Sequence, residues 1–307
     1  MRIAENILFL LTAASSLFSC VSDDVSECLY PCSFAFQYSE NAEGENDFSA
    51  HVENVHILIY DDMDKLIKKD IVQSSNLTDK LVYTTYLPTG VYTAVSWGGM
   101  SDSYQYMKED NLSTGFFTLV DSSSVVTSRP ATHNFYARND NVTVNVLTTR
   151  SARPIYTTVY TKNSNDVKVN LHLVGAGSVG VDLSTFDCIL TSKNGCYSFE
   201  NKVVSEKTTS YLGRREVDEG VLVTDFRVMR LWQGDFSRLL LNQNIQGKSR
   251  QLINESLTEL ILSNPALDLT GSHDFDIDIF LRYSSTFVSI IVKVNDWIVI
   301  NTVEDLV

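Results

Sequence analysis

Period-two alternation dominates the chain. In Ser33-Phe34-Ala35-Phe36-Gln37-Tyr38, Phe34, Phe36 and Tyr38 fall on one face, as expected of a half-buried strand. Residues 55–60, Val-His-Ile-Leu-Ile-Tyr, form a denser run of strand formers. Asp61, Asp62 and Asp64 supply a turn before Leu66-Ile67. Residues 81–86 and 91–97 predict two more strands, joined by Leu87-Pro88-Thr89-Gly90, where proline and glycine pre-set a tight turn. Residues 116–120, 133–137 and 142–147 complete a first set. A second set follows Thr148-Thr149-Arg150: residues 155–161, 167–174, 186–191, 197–199, 221–231, 238–241, 275–283, 287–294 and 297–300.

One segment departs from this pattern. Ile253, Leu257, Leu260 and Ile261 recur at helical spacing within residues 250–263, and Asn264-Pro265 ends the run. This predicts one short helix in the second half. Many strands, short turns and little helix define an all-β chain of two tandem β-sandwich domains of the immunoglobulin-like or transthyretin-like kind. The expected division is residues 33–150 and 151–307. The chain has no long linker rich in proline, glycine or serine, so the domains should abut.

The first 32 residues are different. A short apolar run over residues 7–17 leads into Leu17-Phe18-Ser19-Cys20. At that length it cannot span a bilayer, which takes about 20 residues. It resembles a bacterial lipoprotein signal peptide over residues 1–19, although Glu5 weakens the basic start. The resemblance implies cleavage before Cys20 and acylation of that cysteine. A single chain anchors only marginally, at about 0.8 kcal/mol per buried methylene, whereas a triacylated (palmitate-bearing) cysteine is held stably. Ser22, Asp23 and Asp24 behind it resemble an acidic export signal for the outer face of the outer membrane. Residues 20–32 then read as a lipidated tether.

The net charge of −14 changes the list of partners. With no basic stripe, phosphate backbones are repelled and nucleic acid is excluded as a partner. Attachment to an anionic membrane by charge is excluded for the same reason, which favours a lipid. Besides Cys20 there are Cys28, Cys32, Cys188 and Cys196. An even number in an exported chain permits two disulfides in three pairings. If a hairpin turn occupies residues 192–195, Cys188 falls opposite Phe199, so a direct Cys188–Cys196 bridge needs a bulge or a wider loop. The four lack paired zinc-knuckle spacing, and an oxidising compartment favours disulfides over zinc.

Candidate chemistry is sparse. Gly175-Ala176-Gly177-Ser178-Val179-Gly180 fits a dinucleotide fingerprint, but no helical stripe follows it, so it reads as a glycine-rich turn. Asp274, Asp276 and Asp278 fall on one face of a strand. They offer a calcium or acid/base site, or a charged, solvent-facing sheet edge that resists pairing; without a calcium loop the edge is the better reading. His51, His56, His133, His172 and His273 form no metal-ligand motif, and there is no G-x-S-x-G elbow. Tyr92, two residues after Gly90, has the spacing of a tyrosine corner.

Together these features resemble the FimB-type family of fimbrial anchor and tip lipoproteins. The resemblance is carried by Cys20 with Asp23 and Asp24, by the entry from Cys28 and Cys32 into Phe34-x-Phe36, and by the strand at 55–60 with its acidic turn. Leu87-Pro88-x-Gly90-x-Tyr92 leading to Trp97-Gly98 continues it, as do Phe226-x-Val228-x-Arg230-Leu231 and Val292-x-Val294-Asn295-x-Trp297-Ile298-Val299. It covers most of the mature chain, and the order of the motifs is its most specific feature. It implies two transthyretin-like domains, no enzyme activity, and a place at the base or tip of surface fimbriae; no cofactor and no small-molecule ligand is expected. The related stalk subunits polymerise by strand donation, so this chain is expected to receive a strand from the first stalk subunit, with the terminal strand over residues 287–300 as the alternative donor. Two alternatives compete: a glycan-binding surface lipoprotein using Trp97, Trp232 and Trp297 with some of the tyrosines, and a hydrolase using the face that bears Asp274 to Asp278.

Overall fold

A computed structural model describes residues 28–39, 44–77, 80–120, 125–126, 132–146, 154–204 and 208–305. Cys20, Ser22, Asp23 and Asp24 lie outside the described residues. The N-terminal part contains β1 (Tyr30–Gln37), the short helix α1 (Phe48–His51), β2 (Asn54–Tyr60), β3 (Leu66–Gln73), β4 (Val82–Leu87), β5 (Gly90–Gly98), β6 (Tyr104–Met107), β7 (Phe116–Leu119), β8 (Val125–Val126) and β9 (Phe135–Val144). There follow β10 (Ile155–Val159), β11 (Thr161–Lys162), β12 (Ser164–Leu173), β13 (Phe186–Ser192), β14 (Cys196–Ser198), β15 (Thr209–Leu212), β16 (Arg214–Asp218) and β17 (Val221–Met229). The chain continues with β18 (Arg238–Ile245), β19 (Lys248–Ser256), the helix α2 (Leu257–Leu262), β20 (Asp274–Tyr283), β21 (Phe287–Val294) and β22 (Trp297–Asp305).

The all-β expectation holds. The N-terminal sheets are β10-β1-β4 and β11-β9-β5-β2-β3; the C-terminal sheets are β16-β17-β12-β20-β21-β22 and β19-β18-β13-β15-β8. A small sheet, β14-β7-β6, bridges the two parts. Strand β2 shows how the density of the 55–60 run arises. Val55, Ile57 and Ile59 pack with Phe34 and Phe36 of β1. Leu58 and Tyr60, on the other face, pack with Tyr104, Phe117 and Leu119 of the bridging sheet. Both faces are covered, so apolar residues are continuous rather than alternating. In the C-terminal part Phe275, Ile277, Ile279 and Leu281 face a core that includes Phe186, Leu190, Tyr211 and Leu241.

Three expectations need correcting. Ile155–Val159 and Thr161–Lys162, expected beyond a division at residue 150, pair with β1 and β9 in the N-terminal sheets. The two parts also exchange strands: β7 pairs with β14, and β8 runs parallel to β15. One core cluster therefore runs from Leu58 and Trp97 through to Val294. The helix expected over residues 250–263 shrinks to Leu257–Leu262, because antiparallel pairing with β18 draws Lys248–Ser256 into a strand. Ser256 caps that helix by accepting from the Glu259 N–H at 3.3 Å, half of a capping box. Residues 30–32, expected in the tether, begin β1, with Cys32 buried.

The expected tyrosine corner is present. Tyr92 donates its hydroxyl proton to the Pro88 carbonyl at 3.0 Å, and a Cβ at Gly90 would lie 3.0 Å from that hydroxyl oxygen. The glycine-rich segment is a turn, as expected. A Cβ at Gly177 would stand 1.9 Å from the Tyr283 carbonyl oxygen, so this glycine serves close backbone packing.

Candidate functional site

The two outer strands of the six-stranded sheet are built differently. On β16, Arg214, Arg215, Glu216 and Asp218 are all exposed, the kind of charged edge that discourages pairing with another chain. At the opposite edge β22 reads Trp-Ile-Val-Ile-Asn-Thr-Val-Glu-Asp and, among the described residues, pairs only with β21 along its inner side. Trp297, Ile298 and Val303 on it are each more than half exposed. A long apolar edge strand is a template for strand addition, and here charge does not blunt it until Glu304. By contrast, β1 lies between β4 and β10 with Cys32, Phe34 and Phe36 buried, so its own slot in the N-terminal sheet is already filled.

The residues weighed for chemistry resolve individually. Strand β20 is interior to its sheet, paired with β12 and β21, so Asp274, Asp276 and Asp278 do not form a sheet edge. They point out from a central strand because their apolar neighbours occupy the core side. Asp278 Oδ1 meets His172 Nε2 at 2.8 Å and accepts from Asn170 Nδ2 at 3.2 Å. Asp61 holds a hairpin tip, its Oδ1 accepting from the Met63 and Lys65 N–H groups.

The four described cysteines are free thiols. Cys188 lies on β13 and Cys196 on β14, strands of different sheets rather than one hairpin. Cys28 is exposed and Cys32 buried, where burial pushes the Cys32 thiol up to about 11. Trp97 is wholly buried, Trp232 half-buried, and Trp297 sits on β22.

One cluster had no local signal in the sequence. His133 Nδ1 lies 3.1 Å from Ser164 Oγ, and its Nε2 lies 3.2 Å from Asp166 Oδ2. This has the composition of a hydrolytic triad, assembled at the junction of the two parts. The Ser164 hydroxyl is fully buried and also accepts from the Asn134 N–H, while Arg227 grips Asp166 through Nε at 2.9 Å. The arrangement ties β12 to the segment before β9; a buried hydroxyl meets no substrate.

The model of the family of fimbrillin-A associated anchor proteins Mfa1 and Mfa2 matches residues 25–303. The chain belongs to that family. Its fold is similar to that of the fimbrial anchor protein Mfa2 from Porphyromonas gingivalis, with a TM-score of 0.73, 19% identity, and coverage of 90% of this chain and all of that one. A candidate adhesin from Bacteroides ovatus gives 0.72 at 18% identity, over 88% of this chain and 95% of that one. A candidate polysaccharide-binding protein from Bacteroides thetaiotaomicron gives 0.70 at 20%, over 88% and 97%. At these identities the likeness shows the fold. No curated protein sequence matches. Among the described residues no helix is long and apolar enough to cross a membrane.

Proposed function

We propose that this chain is a non-enzymatic fimbrial anchor, held in the outer membrane at the cell surface by acylated Cys20 and joined to the first stalk subunit by strand addition. The observation that carries the reading is the contrast within one sheet between the charged β16 edge and the apolar β22 edge. Backbone groups along β22 give affinity and alternate side chains give specificity. Strand β1 supports the rest. It is built into the core, so cleaving it away would cut the protein from its lipid. From Cys20 to Tyr30 an extended tether spans at most about 35 Å, which keeps the N-terminal sheets close to the membrane.

The test is to shear filaments from intact cells and locate this chain by mass spectrometry and gold labelling. Label at filament bases, in an acylated form lost on Cys20→Ala, supports the anchor. Label at distal ends makes the protein a tip subunit, and absence from all filaments overturns the fimbrial reading. Deleting residues 296–307 should abolish filament attachment and leave export intact; unchanged attachment rejects the β22 edge as the contact.

A further inference from the structure

A sheet with one side in solvent normally turns polar and charged residues outward. The outer face of the β10-β1-β4 sheet does not. None of the residues of β1, β4 or β10 is acidic, basic or histidine, in a chain of net charge −14. On β1 the buried side chains are Cys32, Phe34 and Phe36, so Pro31, Ser33, Ala35 and Gln37 turn outward. The register carries that face across the sheet. Pro31 sits beside Tyr86, Ser33 between Thr84 and Ile155, and Gln37 beside Val159. Tyr86, Ile155 and Val159 are each more than half exposed. Two hydroxyls in the middle of the face already satisfy each other, Ser33 Oγ and Thr84 Oγ1 at 2.8 Å. The six-stranded sheet is the contrast: its outer face carries Lys168, Asp276, Asp278 and Lys293.

We propose that this face lies on the lipid headgroups of the membrane. The inference rests on the proposed acylation of Cys20 and adds which surface that anchor brings down. The path of the chain selects lipid over a protein partner. The middle strand of this sheet, β1, begins at Tyr30, and the tether from Cys20 reaches at most about 35 Å when extended. The lipid-bearing end therefore enters the molecule through the one sheet whose strands lack charge. Charge argues the same way. An uncharged face gives up water without stripping ions of their hydration, and the acidity of the chain then lies on surfaces turned away from an anionic leaflet. Tyr86 adds an apolar ring with a polar tip, the side chain enriched at membrane–water interfaces. Binding of this kind scales with the apolar area that the lipid covers. The β22 edge belongs to another sheet, so the anchor rests on lipid and still receives a subunit.

The test places a tryptophan reporter at Tyr86 in the full acylated mature chain. The protein is reconstituted on vesicles of phosphatidylethanolamine and phosphatidylglycerol containing brominated lipid, which quenches indole emission on contact. Emission added by Tyr86→Trp over the wild type should fall about twofold or more against unbrominated vesicles. Emission added by Glu216→Trp, on the charged β16 edge, should not change. Ile155→Asp with Val159→Asp, in the Tyr86→Trp background, should abolish the quenching and leave acylation and melting temperature unchanged. The mass of the Cys20 peptide separates the two readings. An acylated, vesicle-bound chain with unquenched Tyr86→Trp emission overturns the proposal and leaves the anchor standing. Unmodified Cys20 in the mature chain overturns the anchor, and the proposal falls with it. Quenching that survives both aspartates puts another surface on the lipid and overturns the proposal. So does Tyr86→Trp emission that ignores vesicles but shifts to the blue when purified filaments are added, which gives the face to a stalk subunit.

Discussion

Arg227 holds Asp166 by two parallel hydrogen bonds, Nε to Oδ1 at 2.9 Å and Nη2 to Oδ2 at 3.1 Å, between directly paired positions of β17 and β12. Burial alone would raise the Asp166 carboxyl, but hydrogen bonds and charge from His133 and Arg227 outweigh it and hold the group well below the usual carboxylate range. A depressed folded-state value means the contribution is complete above the unfolded carboxylate value, near 3.9, and is lost as pH falls through the folded one. Asp166→Asn should therefore cost about 1.5–3 kcal/mol at pH 7, a charge-assisted pair lost beside a nearly buried guanidinium. Urea titrations at pH 7 and pH 3 check this: the gap between wild type and variant should narrow at the lower pH. A gap independent of pH would reject the ion pair as its source.

Trp97 stacks on Phe117 with ring centroids 4.1 Å apart and planes within 9°, yet its indole N–H is buried without a partner. Trp97→Ala should cost about 3–5 kcal/mol by leaving a cavity. Trp97→Phe keeps the stacking and removes the unpaired donor, so it should cost less than half as much. Equal losses in the two variants would show that the indole N–H is satisfied in solution.

Cys28 and Cys32 are four positions apart and differ completely in access. Thiolate is the reacting form, and burial pushes the Cys32 thiol up to about 11. Brief iodoacetamide treatment of the native protein at pH 8 should label Cys28 and spare Cys32, with Cys32 labelled after unfolding in urea. Failure to label either one even in urea, reversed by reductant, would mean that the two are joined by a disulfide.

Much of this was legible in the sequence because the relevant physics is local. The alternation of Phe34, Phe36 and Tyr38 gave β1, and Pro88-x-Gly90-x-Tyr92 gave the corner, since neighbouring residues alone set both. Residues 250–256 form a strand where the spacing predicts helix, because Ile253 suits either period and only the distant partner β18 decides between them. Asp274, Asp276 and Asp278 were correctly placed on one face. Their strand was wrongly placed at an edge, because strand order is a long-range property. The Ser164, His133 and Asp166 cluster joins β12 to the segment before β9, about 30 residues apart in the chain, with no spacing to betray it. The β22 edge was half visible: its apolar residues could be read from the chain, but its free outer side could not.

The β22 edge can be tested without removing the strand. Ile298 and Val303 are each 58% exposed, so lysine at both positions removes little buried area and should change stability by no more than about 0.5 kcal/mol per site. Natural sheets block unwanted pairing by placing lysine on edge strands, and β16 already carries Arg214 and Arg215. The double variant Ile298→Lys, Val303→Lys should therefore melt like the wild type and reach the cell surface in equal amount, while filaments detach into the medium. This separates two explanations that the 296–307 deletion leaves joined. Deletion also strips β21 of its outer partner, leaving Phe287–Val294 as a new edge beside β20, so detachment there reports either a lost contact or a damaged sheet. Lysine leaves the β21–β22 pairing in place and changes only what an incoming strand meets. Normal retention of filaments by the double variant would move the subunit contact away from β22.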